Sequence, residues 1–301
     1  MEIEMQIYLN GKLVSKEEAT VSVMDHGFLY GDGTFEGIRV YGGNIYRLKE
    51  HIERLYESMK TLELDPGMTF DEMCQATIDT VAANGKRDVY IRLVVSRGTG
   101  DLGIDPAKCK KATVVIIVDD IALYPKEFYD NGISLVTAST RRFPIDCIDP
   151  RIKSLNYLNN ILAKIEAKKA GVPEAIMLNQ QGLVAECTAD NIFLVKNGVL
   201  KTPDLLQGAL GGITRASVME LAEKRGMKVE ERALALHDFY NADEVFLTGT
   251  GAEIIGVVDI DRRTIGTGKP GQATKDLLAD YRILRTQDGA KVDFDRVPET
   301  V

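Results

Sequence analysis

The sequence predicts a mixed α/β protein of two domains, the first of them α+β. Three observations predict it: turn pairs between short apolar runs near the start, a helical period that then replaces them, and β-branched runs alternating with helical stretches in the second half. The chain has 301 residues, 45% hydrophobic and 27% charged, enough to bury a sizeable core.

In order, Ile7-Tyr8-Leu9 leads into Asn10-Gly11, and the run from Phe35 to Tyr41 reaches Gly42-Gly43 before Ile45-Tyr46. Both read as hairpins, because Asn and Gly tolerate the positive φ of a tight connection. Leu48, Ile52, Leu55, Met59 and Leu62 then recur at three- and four-residue steps, the apolar stripe of a helix that also carries His51 and Arg54. A second helix is expected from Phe70 to about Ala83. Val89 to Ser96 and Thr113 to Val118 are dense in β-branched residues and read as buried strands. The polar, Pro125-bearing stretch from Asp119 to Gly132 is the best linker candidate. The expected organisation is a smaller N-terminal domain (1–120), an interdomain loop (121–131), a larger C-terminal domain with Lys153 (132–286) and a loosely held polar tail (287–301).

In the second half, Leu158, Ile161, Leu162 and Ile165 make an apolar helical face, and Ile213 to Arg225 reads as a helix. Ala175 to Leu178, Asn191 to Val195, Glu244 to Thr248 and Ile254 to Asp259 read as strands, with a hairpin at Asn197-Gly198.

A formal net charge of -8 argues against a nucleic-acid surface, which needs clustered Lys and Arg. No apolar run approaches the roughly 20 residues that span a bilayer, and the start, Met1-Glu-Ile-Glu-Met, has no leader-like pattern. A small-molecule partner and a cytoplasmic location are expected. Cys74, Cys109, Cys147 and Cys187 form no CxxC pair, so neither a metal site nor a disulfide framework is expected.

Two places pair Gly with Thr where a phosphate could sit. Gly211-Gly-Ile-Thr214 opens a helix, and Thr248-Gly-Thr-Gly251 follows a strand. Taken singly, a helix cap and a tight turn explain them as well. Lys153 lies just ahead of a helix; partial burial would make it a nucleophilic amine able to attach an aldehyde cofactor, where a typical lysine is only a solvated charge. Tyr157, nearby, could donate to a phenolate oxygen on such a cofactor. Glu186, if buried, needs a partner such as a protonated pyridine nitrogen; a surface carboxylate is the bland alternative.

Together these segments resemble the fold-type IV family of pyridoxal-phosphate enzymes, the aminotransferase class IV group. The match runs from about Ile7 to Leu278. It is carried by Tyr30-Gly-Asp-Gly-Thr-Phe-Glu-Gly-Ile-Arg39, Glu50-His-Ile-Glu-Arg54, Ile152-Lys153-Ser-Leu-Asn-Tyr157, Glu186 with Asn191, Gly212-Ile-Thr-Arg215 and Thr248-Gly-Thr-Gly-Ala-Glu253. The resemblance implies pyridoxal 5'-phosphate on Lys153 as Schiff-base lysine, Glu186 on the ring nitrogen and Tyr157 on the phenolic oxygen. It further implies a phosphate cup of Arg54, Ile213, Thr214 and Thr250, with Leu210 against the ring.

Within the family, Phe-Glu-Gly-Ile-Arg39 and Tyr90-Ile-Arg92 resemble branched-chain aminotransferases. That resemblance implies transfer of amino groups between leucine, isoleucine or valine and 2-oxoglutarate by a ping-pong mechanism. Tyr30, Phe35, Arg39, Tyr90, Arg92 and Tyr124 would bind substrate, whose α-carboxylate would rest on N–H groups at Thr250 and Gly251. Leu102 and Ile104 would complete the pocket of a partner subunit, so a homodimer or an assembly of dimers is expected. Cys187 and Ala189 depart from the glycines many relatives carry there. D-amino acid aminotransferases and the lyase that makes 4-aminobenzoate share the cofactor motifs, and an inactive cofactor-binding scaffold is the non-enzymatic alternative. Tyr90 with Arg92 favours the L-branched-chain reading.

Overall fold

The computed structural model describes residues 4–121 and 124–295, so part of the expected interdomain loop, the first three residues and the last six lie outside the described residues. The chain forms two compact units. One draws on Met1–Ile121, Ile152–Asn156 and Leu284–Val301, the other on Ala122–Arg151 and Tyr157–Ile283.

The first unit contains β1 (Gln6–Leu9), β2 (Lys12–Ser15), α1 (His26–Tyr30), β3 (Gly33–Tyr41), β4 (Asn44–Tyr46), α2 (Leu48–Thr61), α3 (Phe70–Asn84), β5 (Tyr90–Ser96) and β6 (Thr113–Asp119). A late strand, Gly289–Lys291, joins the edge of an antiparallel sheet ordered Gly289–Lys291, β4, β3, β5, β6, β1, β2. The expected hairpin at Asn10-Gly11 is present, both residues at positive φ (52° and 99°). One face of the sheet contributes Ile38, Val40, Ile91, Leu93, Val95, Ile116 and Val118 to a core shared with Leu48, Ile52, Leu55 and Met59 of α2. α3 begins in a capping box in which Thr69 and Glu72 satisfy each other's backbone N–H. Burial of each large aliphatic side chain in this core contributes roughly 1.5–3 kcal/mol. Because side chains alternate along a strand, Phe35, Gly37, Arg39 and Tyr41 leave the opposite face.

Two expectations need correction here. Lys153 groups with the first unit, not the second, since Ser154 bridges to Thr34, Phe35 N donates to Lys153 O (3.0 Å) and Leu155 N to Gly33 O (2.9 Å). The polar tail is held as far as Phe294: Gly289–Lys291 pairs with β4, and Arg87 stacks 4.4 Å from the Phe294 ring centroid. Backbone pairing and one aromatic anchor outweigh the polar composition.

The second unit contains α4 (Lys126–Asn131), β7 (Ile133–Thr137), α5 (Leu158–Lys169), β8 (Glu174–Leu178), β9 (Val184–Cys187), β10 (Asn191–Lys196), β11 (Val199–Pro203), α6 (Ile213–Lys224), β12 (Lys228–Arg232), α7 (Leu236–Tyr240), β13 (Glu244–Gly249), β14 (Glu253–Ile260), β15 (Arg263–Thr264) and most of α8 (Gln272–Gln287), whose last residues, from Leu284, belong to the first unit. Its mixed sheet is ordered β12-β11-β10-β13-β14-β7-β8-β9, with β15 beside β14. β11–β12, β14–β7 and β7–β8 are parallel and the other pairs antiparallel. Both sheets and the helices fit the expected mixed α/β class. α8 carries no strong apolar signal in the sequence, yet it buries Thr274, Leu277 and Tyr281 at helical spacing.

α5 presents its faces in an unexpected way. Leu158, Ile161, Leu162 and Ile165 are 44% to 66% exposed, while Asn159, Asn160, Ala163 and Ala167 are buried. The alanines pack with Ala175 and Met177 of β8. Small side chains allow the helix to approach the strand closely, which leaves the larger residues outside.

Candidate active site

In the first unit the chemistry lies on β3 and β5. Arg39 is paired in register with Tyr90, and Gly37 with Arg92, so these residues share the face that also carries Phe35. Arg92 Nη2 donates to the Tyr90 hydroxyl at 3.1 Å, and its guanidinium carbon lies 4.6 Å from the Phe35 ring centroid. Lys153 Nζ lies 4.5 Å from the same ring. A primary amine and a guanidinium thus lie against one aromatic ring, and cations favour the electron-rich face of an aromatic ring. Lys153 is half-buried, and its backbone N–H donates to Ser58 Oγ of α2 at 3.2 Å.

Glu36 points to the other, core side of β3 and is completely buried. Arg54 meets it with two parallel bonds, Nε to Oε1 and Nη2 to Oε2, both 2.8 Å, and His51 Nδ1 lies 2.8 Å from Oε2. Burial alone would raise the Glu36 pKa, but Arg54 and His51 together hold the carboxyl well below its ordinary range. Burial pulls the His51 pKa down; Glu36 opposes this, and the charges of Arg54 and Lys153 add to it. A neutral His51 therefore carries its proton on Nδ1 and donates it to Glu36. The helical period of α2 places His51 and Arg54 three residues apart on its buried face.

In the second unit Glu186 on β9 is buried and enclosed by donors. Arg142 Nη2 lies 2.7 Å from Oε1; Asn191 Nδ2 (3.1 Å) and the Leu210 backbone N–H (3.0 Å) donate to Oε2. Arg142 also donates to Gly208 O (3.0 Å) and Asn160 Oδ1 (2.7 Å), and Asn160 to Thr188 O (2.7 Å). Such a connected network fixes the carboxylate's orientation.

Asn191 and Thr248 are cross-strand partners of β10 and β13, so their side chains leave the sheet on one face. The Thr248 hydroxyl is buried without a hydrogen-bond partner among the described residues. α6 starts at Gly212 without a side-chain cap, and a Cβ on Gly212 would overlap Asn191 Oδ1. A twelve-residue helix with an uncapped N-terminus and an orphaned hydroxyl nearby in the fold supplies donors of the kind a phosphate accepts. Thr214, in the first turn, is buried; Ile213, Leu210, Thr250 and Gly251 are half-buried. Tyr157 is the N-cap residue of α5. Tyr124 is tilted against Phe128 at 6.0 Å, and burial, with the nearby charges of Asp190 and Glu174, raises its phenol pKa.

The donors fit pyridoxal phosphate by chemistry: an amine on an aromatic wall, a buried carboxylate for a ring nitrogen, and a helix N-terminus with hydroxyls for a phosphate. Leu102 and Ile104 stand apart, 65% and 86% exposed in a loop whose Gly103 N–H donates to the Tyr30 hydroxyl at 2.9 Å. Sequence reasoning gave no role to Glu36, His51, Arg142 or Asn160. The motif containing Glu36 and the helical spacing of His51 and Arg54 were available signals; Arg142 lies in an irregular loop with no local pattern.

Comparison with known proteins identifies the family. The model for amino-transferase class IV matches residues 33–260. A Methanocaldococcus jannaschii protein provisionally named a branched-chain-amino-acid aminotransferase is 52% identical over 288 residues, 96% of this chain and 99% of that one. The crystal structure of the Escherichia coli branched-chain amino acid aminotransferase superposes with a TM-score of 0.92 at 34% identity, covering 95% of this chain and 96% of that one. The crystal structure of a T.th. branched-chain amino acid aminotransferase with pyridoxamine 5'-phosphate gives 0.90 at 37% identity, covering 94% of both. With the motif-bearing strands, the lysine segment and the glycine-led helix all inside the matched region, the chain belongs to the class IV aminotransferases of fold type IV.

Proposed function

We propose that this enzyme transfers amino groups between L-branched-chain amino acids and 2-oxoglutarate, with Lys153 as its catalytic amine. The observation that carries the reading is the Phe35 ring with Lys153 Nζ and the Arg92 guanidinium both against it. An apolar wall suits leucine, isoleucine or valine, and a cation beside it suits the second carboxylate of glutamate. The similarity to branched-chain aminotransferases supports the same substrates.

Pyridoxal phosphate, when bound, supplies an electrophilic aldehyde and a ring that withdraws electrons from a substrate's α-carbon. Lys153 is the residue to hold it covalently and, once released, the base that takes the α-proton. Glu186, fixed by Arg142 and Asn191, would pair with the ring nitrogen. Tyr157 would donate to the phenolic oxygen, Leu210 would lie against the ring, and Arg54, Ile213, Thr214 and Thr250 would hold the phosphate. Tyr30, Phe35, Arg39, Tyr90, Arg92 and Tyr124 bind the substrate side chain, and Thr250 and Gly251 its α-carboxylate. Because the amino group would stay on the enzyme after the first product leaves and before the second substrate binds, ping-pong kinetics are expected.

The exposed apolar residues Leu102 and Ile104, and the outward stripe on α5, support a homodimer, since apolar side chains grouped on a surface suit an interface. No helix among the described residues is long and apolar enough to cross a membrane. A cytoplasmic location is part of the proposal. A coupled assay of L- and D-amino acids with 2-oxoglutarate tests the reading. The expected result is turnover of L-leucine, L-isoleucine and L-valine well above D-alanine; preference for D-alanine would overturn it.

A further inference from the structure

We propose that Arg215, fastened to Glu231, is a positioning residue for the cofactor phosphate: it fixes the first turn of α6 as a set of donors without itself touching the phosphate. The inference rests on the phosphate site read above at this helix and deepens it.

Arg215 stands where a helix ordinarily favours an acid. With Gly212 as N-cap it is the third helical residue, the position a capping glutamate prefers, and the first turn holds no acidic residue. A guanidinium there adds to the positive end of the helix dipole and is unfavourable by local preference alone. Arg215 is nevertheless only 4% exposed. Such a conflict between local preference and burial marks a residue kept for what it does in the folded protein.

What holds the guanidinium is a pair of acceptors at one edge of the sheet. Arg215 Nη2 donates to the carbonyl of Pro203, the last residue of β11, at 3.0 Å and to Glu231 Oε2 of β12 at 2.5 Å. The two strands are parallel there, with Thr202 opposite Glu231 and Pro203 opposite Arg232, so both acceptors move as one. Asn191 of β10 fixes the approach to the helix from the other side. Its Nδ2 donates to Leu210 O at 2.8 Å, and its Oδ1 lies so close to Gly212 that no Cβ fits between them. The chain from Leu210 to Arg215 is therefore tied at both ends, with the buried Thr214 between the ties. Donors fixed in advance bind an anion without first having to be ordered. Releasing the Arg215 tie should cost phosphate affinity and spare the contacts to the ring.

The test is titration of the full-length, cofactor-stripped chain with pyridoxal 5'-phosphate and with pyridoxal, which lacks the phosphate, followed by absorbance. The ratio of the two affinities isolates the phosphate, whereas a general loosening of the protein would weaken both ligands alike. Arg215→Met is expected to weaken pyridoxal phosphate about tenfold, the lower end of the worth of one charged hydrogen bond, and pyridoxal less than about twofold. Glu231→Ala changes an exposed side chain and leaves the bond to Pro203, so it is expected to lower the ratio about threefold. Should Arg215→Met not fold, Glu231→Ala carries the test alone. A ratio unchanged in every variant that folds, or equal weakening of both ligands, would overturn the inference while leaving the cofactor site intact. A parent chain that binds pyridoxal as tightly as pyridoxal phosphate would overturn the phosphate site and this inference together.

Discussion

The hydroxyl of Tyr90 occupies the space that a Cβ on Gly37 would fill. Glycine at this point of β3 lets the phenol lie across the neighbouring strand, where it accepts from Arg92. Gly37→Ala is therefore expected to displace Tyr90 and weaken glutarate binding about tenfold, the lower end of the worth of one charged hydrogen bond. The obstructing atom ends a side chain that can swing, so unfolding free energy should fall by only about 1 kcal/mol. Denaturant unfolding and glutarate titration check the two halves. Parental glutarate affinity would show that the Tyr90 position is immaterial.

Lys153→Ala should abolish transamination while the fold persists, because the change removes both the point of cofactor attachment and the base. Visible absorbance after loading with pyridoxal phosphate should disappear with turnover, and circular dichroism should be unchanged. Near-parental turnover would remove Lys153 from the chemistry.

Arg142→Met leaves the buried Glu186 carboxylate without its cationic partner, an effect that typically costs about 3–5 kcal/mol of stability. Glu186→Gln should cost a comparable amount of stability, since it leaves the buried Arg142 guanidinium without its anionic partner, and should in addition lower kcat at least about a hundredfold. If both variants lose stability alike and kcat stays parental in Glu186→Gln, the carboxylate is structural.

Arg92→Met should damage the half-reaction with glutamate or 2-oxoglutarate more than that with leucine. A charge-assisted bond to the distal carboxylate is worth roughly 1.5–3 kcal/mol, about ten- to more than a hundredfold in affinity. Single-turnover spectroscopy of each half-reaction measures this. Equal losses in both would make Arg92 a residue that orders the pocket without recognising the acid.

Acidification should destabilise the first unit through the Glu36–His51 pair. Both groups have folded-state pKa values below their ordinary 6.5 (His51) and 4.5 (Glu36), so the unfolded chain binds more protons in those ranges. Their contribution is complete above 6.5, declines first as His51 protonates in the unfolded state, and declines further below 4.5 as Glu36 does. Urea titrations across this range should show the slope, and His51→Asn should flatten its upper part. An unaltered slope in that variant would place the effect on other groups.

The first-unit hairpins, the stripe of α2 and the strands β5 and β6 were legible because each is a local pattern: turn residues, a 3.6 period, runs of β-branched side chains. Lys153, Glu186 and the Gly-Thr stretches were legible as residue types suited to a cofactor, and the ordered motifs named the family. The buried enclosure of Glu186 was not legible, because Arg142, Asn160, Asn191 and Leu210 come from four separate stretches of chain. The outward turn of α5 was equally hidden, since its orientation depends on which face fits β8.

The sequence by itself determined the elements, their turns and the inventory of reactive groups, because backbone preference and hydrophobic period act over a few residues. Only the tertiary structure decided that Glu36 faces Arg54 and His51 across the core while Phe35, its neighbour, meets Lys153 and Arg92 on the other side. Strand alternation makes adjacent residues diverge. What each then meets depends on long-range pairing, such as Thr34 with Ser154, that no local pattern encodes.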